Sequence, residues 1–318
     1  MDIERFITAM EQVAPPELAE EYDAGRIGLV VEGQNEIGTV CCALDATERV
    51  VDAAALAGAD MLVVHHTPLW SPVTAIRGPT SRLLRTLLAA RMNLYVMHTN
   101  FDHAPGGVND ILASRLDLLA TERMAAGLVG DCTLDAKEIA RRLPGGGIRV
   151  YGETGTIRRL AVVGGSGFDP DLIREAVALG AEAFLSAELK HSVARASPIP
   201  CLEATHYALE APAMEVLSSR MGWHYIPDPP HVVVGTDGII RILRSLVPGH
   251  LETINNLHKQ LYRSRSNLII LRGFQCSKKN MRSIISIPRG LSGRSARVAG
   301  QPSGPGTPNK SSAATLRV

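Results

Sequence analysis

The sequence has no long apolar run, no C-x-x-C pair and no secretory leader pattern. No apolar stretch approaches the roughly 18 residues that a membrane-spanning helix needs, so we expect no membrane segment. The chain contains five cysteines, an odd number without redox or metal-site spacing, which argues against a disulfide framework. Because the stretch from Met1 to Ala14 is charged and helix-like rather than secretory, these absences together predict a protein of the reducing cytoplasm.

A strong net charge is also missing, but the average conceals a division along the chain. The formal net charge is +1 at pH 7. Residues 241–318 contain 14 Lys or Arg residues and one acid, Glu252, which gives that stretch a net charge of +13. The remaining residues include 19 bases and 31 acids and carry a net charge of −12. The sequence therefore predicts an acidic body followed by a basic tail.

Apolar segments with strand and helix spacing alternate along the acidic body. This alternation predicts an α/β fold with much parallel sheet, arranged as two α/β lobes with mixed sheets at residues 1–125 and 126–240. Residues 241–318 form the tail, and the Gly, Ser and Pro content of residues 290–318 predicts disorder. Strands are predicted at residues 28–31, 39–44, 61–64, 94–97, 160–163, 183–185 and 199–203, and helices at residues 1–13, 46–57, 81–90, 109–116, 134–143, 170–179 and 207–220.

Four histidines and two carboxylates stand in three short clusters within this pattern. Imidazole nitrogens and carboxylate oxygens are the usual ligands of borderline divalent metals. Six donors exceed what one tetrahedral ion needs, but they suit two ions that share a bridging carboxylate. The clusters are His65-His66, His98 with Asp102, and His206 with Glu210.

The placement of the clusters favours a metal site over isolated structural histidines. His65 and His66 directly follow a predicted buried strand, and adjacent side chains at a strand end point to opposite sides, so both cannot face the core. His98 follows another strand, where ligands of α/β sheets gather. His206 and Glu210 are four positions apart, so they share one helix face. A single histidine is more often structural, but the combination predicts a metal site.

At these residues the chain resembles the NGG-interacting-factor-three family, also called GTP cyclohydrolase I type 2 homologues. The resemblance covers residues 1 to about 235 and is carried by residues 43–47 (ALDAT), 58–69 (GADMLVVHHTPL), 98–110 (HTNFDHAPGGVND), 164–167 (GGSG) and 205–210 (THYALE).

The resemblance implies a fold, a ligand set and an assembly. The fold is two α/β lobes with two divalent metal ions between them, and the assembly is a homohexameric ring. Asp102 is implied as the bridging carboxylate. Mixed nitrogen and oxygen donors admit Zn, Mn, Fe, Co or Ni. The implied ligands are His65, His66, His98, Asp102, His206 and Glu210.

The chain departs from the family pattern in three places, none of which removes an implied ligand. The usual Trp-Asp-Asn-x-Gly-Leu is here Gly25-Arg26-Ile27-Gly28-Leu29, and the Gly before the late histidine is Thr205. The usual Thr-Gly-acid with a downstream histidine is here the stretch from Ser186 to His191. These departures concern substrate contacts. The tail has no counterpart in the family.

Other residues are candidates for supporting roles. Glu188 and His191 are predicted catalytic residues, as general acid and base or as groups that orient a ligand; an ordinary polar pair at a helix start is the alternative. His103 is a candidate substrate contact. Residues 164–167 either cradle a phosphate through backbone N–H groups or form a plain tight turn.

Two classes of function fit these residues, and a third rests on the tail. The first is a metal-dependent hydrolase, GTP cyclohydrolase-like or phosphoesterase-like, that acts on a nucleotide or phosphate substrate. The second is a non-catalytic hexameric scaffold or regulatory protein that binds metal without turnover. The third is nucleic-acid binding through residues 241–318, where the absence of interleaved aromatics favours a solvated tail instead.

Overall fold

The computed structural model describes residues 1–145, 147–236 and 239–243, with only the backbone described from residue 232 onward. The predictions for residues 244–318, including disorder and nucleic-acid binding, lie outside the described residues. The strands are β1 (Gly28–Val31), β2 (Val40–Asp45), β3 (Met61–His66), β4 (Asn93–Val96), β5 (Leu119–Arg123), β6 (Leu128–Leu134), β7 (Ile148–Tyr151), β8 (Ile157–Val162), β9 (Ala183–Ser186), β10 (Cys201–Ala204), β11 (His224–Tyr225), β12 (Val232–Thr236) and β13 (Ile239–Leu243).

The α-helices of the described residues range from 5 to 16 residues in length. Five of them begin at an Asp or Thr whose side chain accepts a hydrogen bond from a backbone N–H group of the first turn, as is common at this position, namely Asp2, Thr47, Asp135, Asp169 and Thr205. The helices are α1 (Ile3–Val13), α2 (Glu48–Leu56), α3 (Gly78–Ala89), α4 (Thr99–His103), α5 (Val108–Arg115), α6 (Ala136–Arg142), α7 (Pro170–Ala178), α8 (His191–Ala196) and α9 (His206–Met221).

The first sheet has the strand order β1-β4-β3-β2-β11. Strands β4, β3, β2 and β11 run parallel, and β1 pairs antiparallel with β4 at one edge. The central strands are buried almost throughout because helices cover both faces, which explains their near-continuous apolar sequences. Helices α2 and α3 pack on one face, while α1, α5 and α9 pack on the other.

The second sheet has the strand order β5-β6-β8-β9-β10-β7. Strands β8, β9 and β10 are parallel, whereas β6 pairs antiparallel with β8, and β7 antiparallel with β10. Helices α5, α6 and α9 contribute side chains to one core of this sheet, and α7 and α8 to the other. Helices α5 and α9 therefore belong to the cores of both sheets.

The predicted α/β fold with two mixed sheets is confirmed, with local differences. His65 and His66 are the last two residues of β3 rather than residues beyond it. The residues between His98 and Asp102 belong to the short helix α4, which was not among the predicted helices. Strands β5 and β7 were not predicted, because edge strands without buried residues lack an apolar signal, and the interior strand β6 was also missed. None of the helices in the described ranges is long and apolar enough to span a membrane.

Candidate metal centre

All six predicted ligands converge on one place, at the carboxyl ends of β3 and β4 and the start of α9. Their donor atoms form three overlapping groups, and within each group the atoms lie within 4.8 Å of one another. Each group could hold a metal ion. The groups are His65, His66 and His98; His66, His206 and Glu210; and His65, Asp102 and Glu210.

The two histidines of β3 are each fixed through Nδ1. His65 is fully buried, and its Nδ1 lies 2.8 Å from the carbonyl oxygen of Met97. His66 is partly buried, and its Nδ1 lies 2.7 Å from Oδ1 of Asp45, the residue opposite it on the neighbouring strand β2. An Nδ1–H that donates to these oxygens leaves the Nε2 lone pair of each ring directed at the centre.

The other two histidines are held in the same way by carboxylates. Nδ1 of His98 lies 2.8 Å from Oδ2 of Asp23, and Nδ1 of His206 lies 2.8 Å from Oε1 of Glu188. All four imidazoles thus have an acceptor at Nδ1. This arrangement selects the tautomer that metal binding through Nε2 requires.

Glu210 is the carboxylate with the most contacts at the centre. Its Oε2 lies 2.9 Å from Nε2 of both His66 and His206, and 3.7 Å from Nε2 of His65. Oδ1 of Asp102 lies 3.6 Å from the same His65 nitrogen. Glu210 belongs to two of the three donor groups and Asp102 to one.

Three buried polar atoms at the centre have no hydrogen-bond partner among the described residues. They are Nε2 of His65, Oδ1 of Asp102 and, when the Nε2 atoms of His66 and His206 carry no proton, Oε2 of Glu210. Burying a polar atom without a partner is unfavourable by about 1–3 kcal/mol, and folded proteins seldom leave several such atoms together. Since all three are metal-ligand types that face one another, a divalent cation is the group that would satisfy them. The residues fit a metal ion.

Burial and mutual charge set opposite protonation tendencies within the cluster. Burial lowers the pKa of His65 to about 3. Burial also acts to lower the pKa of His66 and His206, but hydrogen bonds with carboxylates outweigh it and raise these values to about 10 and about 9. The pKa of Asp102 is raised well above its usual value by burial and by the neighbouring carboxylate of Glu210.

Glu210 shows the reverse balance. Burial would raise the pKa of this carboxyl group, but the surrounding imidazoles of His65, His206 and His66 lower it below its usual range. A buried carboxylate among imidazoles therefore keeps its negative charge. A charged carboxylate is the form that binds a cation.

Two supporting acids were not identified from the sequence. Asp23 is fully buried and also accepts hydrogen bonds from the backbone N–H and the hydroxyl of Thr99. It lies 75 positions before His98, and no spacing rule connects them. Asp45 was identifiable in principle, since it ends β2 beside the strand that ends in His66.

The predicted catalytic pair is divided by the structure. Glu188 has a left-handed backbone, with φ of 61°, and its carboxylate orients His206. Such a conformation is uncommon outside glycine and often marks a functional position. His191 is the exposed first residue of α8, and within the described residues no hydrogen bond joins it to the six donors. Its catalytic role stays a prediction.

The remaining candidates lie at the edge of the centre. His103 follows Asp102, and its Nε2 lies 3.1 Å from Oε1 of Glu20. In the glycine turn, the N–H of Gly164 donates to Oδ1 of Asn109 and the N–H of Gly167 donates to Oγ of Ser186. Because these groups are already engaged, the tight-turn interpretation is favoured over a phosphate cradle.

Close packing explains a glycine within that turn. Gly165 has φ of 65°, and a Cβ atom there would lie 2.2 Å from Oε1 of Glu210 and 3.2 Å from Nε2 of His206. Only glycine allows the backbone to approach these two side chains so closely. The turn after β8 thus brings the second sheet against the candidate ligands.

Comparisons with known proteins agree with the motifs and the geometry. A curated Streptomyces coelicolor protein described as GTP cyclohydrolase 1 type 2 homolog is 37% identical over 255 residues, which cover 70% of this chain and 88% of its own. A Pyrococcus horikoshii protein with the same description is 33% identical over 214 residues, which cover 61% of this chain and 84% of the relative.

Similarity to solved structures points the same way. Reduced HcgD from Methanocaldococcus jannaschii is 30% identical, with a TM-score of 0.62 and coverage of 71% of this chain and 97% of its own. The family model for Duf34/NIF3 (NGG1p interacting factor 3) matches residues 1–225, which include every candidate ligand. The chain belongs to the Duf34/NIF3 family.

Proposed function

We propose that the six side chains bind two divalent metal ions and that the protein is a metal-dependent hydrolase of nucleotide or phosphate substrates. The observation that carries the proposal is the convergence of four Nε2 atoms whose rings are all held at Nδ1. A structural cluster of histidines would not need every ring fixed in the same tautomer. A metal site does, because each ring must present a lone pair.

The donor groups suggest how two ions would be held. One ion would use the group of His65, Asp102 and Glu210, and the other the group of His66, His206 and Glu210. His98 adds a further nitrogen beside His65 and His66. This arrangement supports Glu210 as a carboxylate shared by both ions, while the bridging role of Asp102 stays a prediction.

Bound divalent ions would polarise a substrate oxygen and lower the pKa of a water molecule. The chain's own groups would orient the substrate and handle protons. Glu188 holds the proton on Nδ1 of His206, and its side chain is 59% exposed, so its carboxylate also faces solvent. That position supports Glu188 as the group that exchanges protons with substrate or solvent. His65 and Glu210, at 0% and 3% exposure, are suited to holding metal rather than to proton exchange.

The second candidate is a hexameric metal-binding scaffold without turnover. The donor set favours it, because His98 and the shared Glu210 can give an ion more than the three protein ligands of a typical catalytic site and so leave fewer positions for a substrate. The metal identity and the hexamer stay predictions.

The experiment that tests the proposal combines elemental analysis with turnover. Purified protein, stripped with chelator and reloaded with Zn²⁺ or Mn²⁺, is offered GTP and a generic phosphodiester. GTP comes first because the curated relatives are described as GTP cyclohydrolase 1 type 2 homologs. His66→Ala and Asp102→Ala are compared with His224→Ala, a change at an exposed histidine of β11.

The outcomes separate the candidates. Two metals per chain with turnover that disappears in His66→Ala and Asp102→Ala, but not in His224→Ala, supports the hydrolase. Two metals without turnover on a broad panel supports the scaffold. A metal content well below two per chain contradicts the dinuclear proposal itself.

A further inference from the structure

A cleft of about 350 Å³ lies beside the metal centre. Its walls are two chain segments, residues 24–30 and residues 69–73. The first segment begins directly after Asp23, the acid that holds His98, and the second follows the β3 histidines by two residues. Both walls are therefore anchored to residues of the centre, so a molecule in the cleft would sit next to the metal ligands.

Trp70 connects the cleft to the centre. Its ring centroid lies 5.7 Å from that of His98, with the two planes at 84°. The side chain is nevertheless 49% exposed. A half-exposed indole packed edge to face with a candidate metal ligand offers a flat apolar surface at the point where a substrate would enter.

Arg26 supplies a positive charge at the same place. Its guanidinium carbon lies 5.0 Å from the centroid of the Trp70 ring, and its Nε donates to the backbone carbonyl of Trp70 at 2.7 Å. A second hydrogen bond reaches the carbonyl of Tyr22. Within the described part of the chain, no carboxylate lies within ion-pair distance of Arg26. Arginines on the surface helices, by contrast, form ion pairs with nearby carboxylates, as Arg82, Arg142 and Arg174 do. A fixed arginine without an acidic partner is suited to binding an anion.

We propose that Arg26 and Trp70 form a substrate subsite for an anionic molecule that carries a flat aromatic ring. Trp70 packs against the ring, and Arg26 pairs with a phosphate or carboxylate group of the same molecule. The subsite rests on the proposed function insofar as it would present this substrate to the metals.

Tryptophan fluorescence reports on this subsite directly, without turnover. The sequence contains two tryptophans, Trp70 and Trp223. Trp223 stacks on Phe6 at 5.8 Å, away from the cleft, so Trp223→Phe retains an aromatic ring there and leaves Trp70 as the sole indole. This protein is titrated with GMP, guanosine and ribose 5-phosphate, first after chelator treatment and then with Zn²⁺ added. GMP combines ring and anion, whereas the other two probes carry one feature each.

We expect GMP to quench Trp70 saturably and to bind more tightly than either single-feature probe. Arg26→Gln should weaken GMP binding about tenfold, because a hydrogen bond to a charged group is lost, and should leave guanosine binding unchanged. Trp70→Leu, measured by calorimetry, should weaken GMP and guanosine about tenfold and spare ribose 5-phosphate. Arg26→Lys retains the charge and should stay within about threefold of the parent protein, which separates charge from loop packing.

The matched control is Arg174→Gln on α7, an exposed arginine paired with Asp171. Equal binding of GMP by the parent protein, Arg26→Gln and Trp70→Leu would overturn the subsite, as would an equal loss in Arg174→Gln. Elemental analysis of the same samples keeps the two proposals apart. Retained metal with no GMP binding would contradict the subsite alone. Retained quenching by GMP in a protein that binds no metal would contradict the proposed hydrolase alone.

Discussion

The centre draws its donors from two regions that differ in burial. The first sheet supplies His65, which is fully buried, and His98, which is held by the fully buried Asp23. Helix α9 supplies His206, whose side chain is 33% exposed and whose partner Glu188 is 59% exposed. Glu210, one turn further along α9, is only 3% exposed, so the sheet side and Glu210 lie in a core, whereas His206 at the start of the helix borders solvent.

This difference assigns separate tasks to the two sides. Groups in a packed core keep one geometry, because neighbouring side chains leave no alternative rotamer. Groups at the solvent border can exchange protons and admit a ligand. We infer that the sheet side and the buried Glu210 set metal affinity and that His206 with Glu188 adjusts protonation and access. The following changes test that division, from the largest expected effect to the smallest.

Glu210→Gln is expected to have the largest effect, since Glu210 contacts donors from both regions. The change retains shape in a buried position but removes the charge that a cation needs. We expect metal affinity to fall by at least about 100-fold, beyond the range found for residues that only support ligands. Chelator competition measures it, with Glu215→Gln on the exposed face of α9 as the control. Unchanged affinity would contradict the proposed role of Glu210 as a shared metal ligand.

The pH dependence of metal uptake distinguishes the protonated from the neutral histidines. His65, with a pKa of about 3, is already neutral at pH 7, whereas His66 and His206, at about 10 and about 9, hold protons that a metal must displace. Affinity for Zn²⁺ should therefore rise between pH 6 and pH 8, by about tenfold per pH unit for each proton displaced. Competition with a calibrated chelator at each pH measures it, and a flat profile would contradict the assignment.

The same shifts affect the stability of chelator-treated protein in the opposite direction. A histidine whose pKa is raised on folding stabilises the fold fully below its unfolded value of about 6.5. That contribution is lost as the pH rises through the folded values of about 9 and about 10. With increasing pH, metal affinity should thus rise while the stability of the chelator-treated protein falls.

Asp23→Asn and Glu188→Gln compare the supports of the two sides. Asp23 is buried and accepts three hydrogen-bonding partners, so its replacement should reduce metal affinity about 10- to 100-fold. Glu188 is more than half exposed, and solvent screens its interaction with His206, so Glu188→Gln should reduce affinity only about threefold. Calorimetric titration with Zn²⁺ measures both. A larger loss of affinity in Glu188→Gln than in Asp23→Asn would contradict the inferred division between the two sides.

Gly165→Ala tests the close approach of the second sheet. Both Gly165 and Gly58 have left-handed backbones, with φ of 65° and 68°, but a Cβ at Gly58 meets nothing within 4 Å. Gly58→Ala should lower the free energy of unfolding by about 1 kcal/mol through backbone strain alone. Gly165→Ala should lower it by about 1–2 kcal/mol more, because Glu210 must also move. Urea unfolding in chelator measures both, and equal losses would show that the contact is relaxed without strain.

The parts of the fold that the sequence predicted are those with a strong apolar signal. The strands β2, β3 and β4 are buried on both faces, so their apolar runs are nearly continuous. Every residue of β5 is exposed, and its sequence LATER carries no alternation that would mark a strand. Pairing with β6 creates that strand, and such long-range pairing is not encoded in a local pattern.

The site shows the same contrast between ligands and their supports. The six donors were predicted because adjacent histidines and an i, i+4 His–Glu pair are locally visible, and the structure brings all six together. Asp23 was missed because a single acid in a polar stretch has no local signature. Its role depends on the folding of the chain, which brings it beside His98, a residue 75 positions later in the sequence.

Helix α9 gives the centre a further property. Its residues Ala208 and Leu209 belong to the core of the second sheet, while Met214 and Leu217 belong to that of the first. Neither core can open without disturbing the helix that carries His206 and Glu210. We therefore expect both sheets to melt in one cooperative step, whose midpoint rises as a whole when metal is added. The complete set of donors therefore forms only in a chain in which the cores of both sheets have folded.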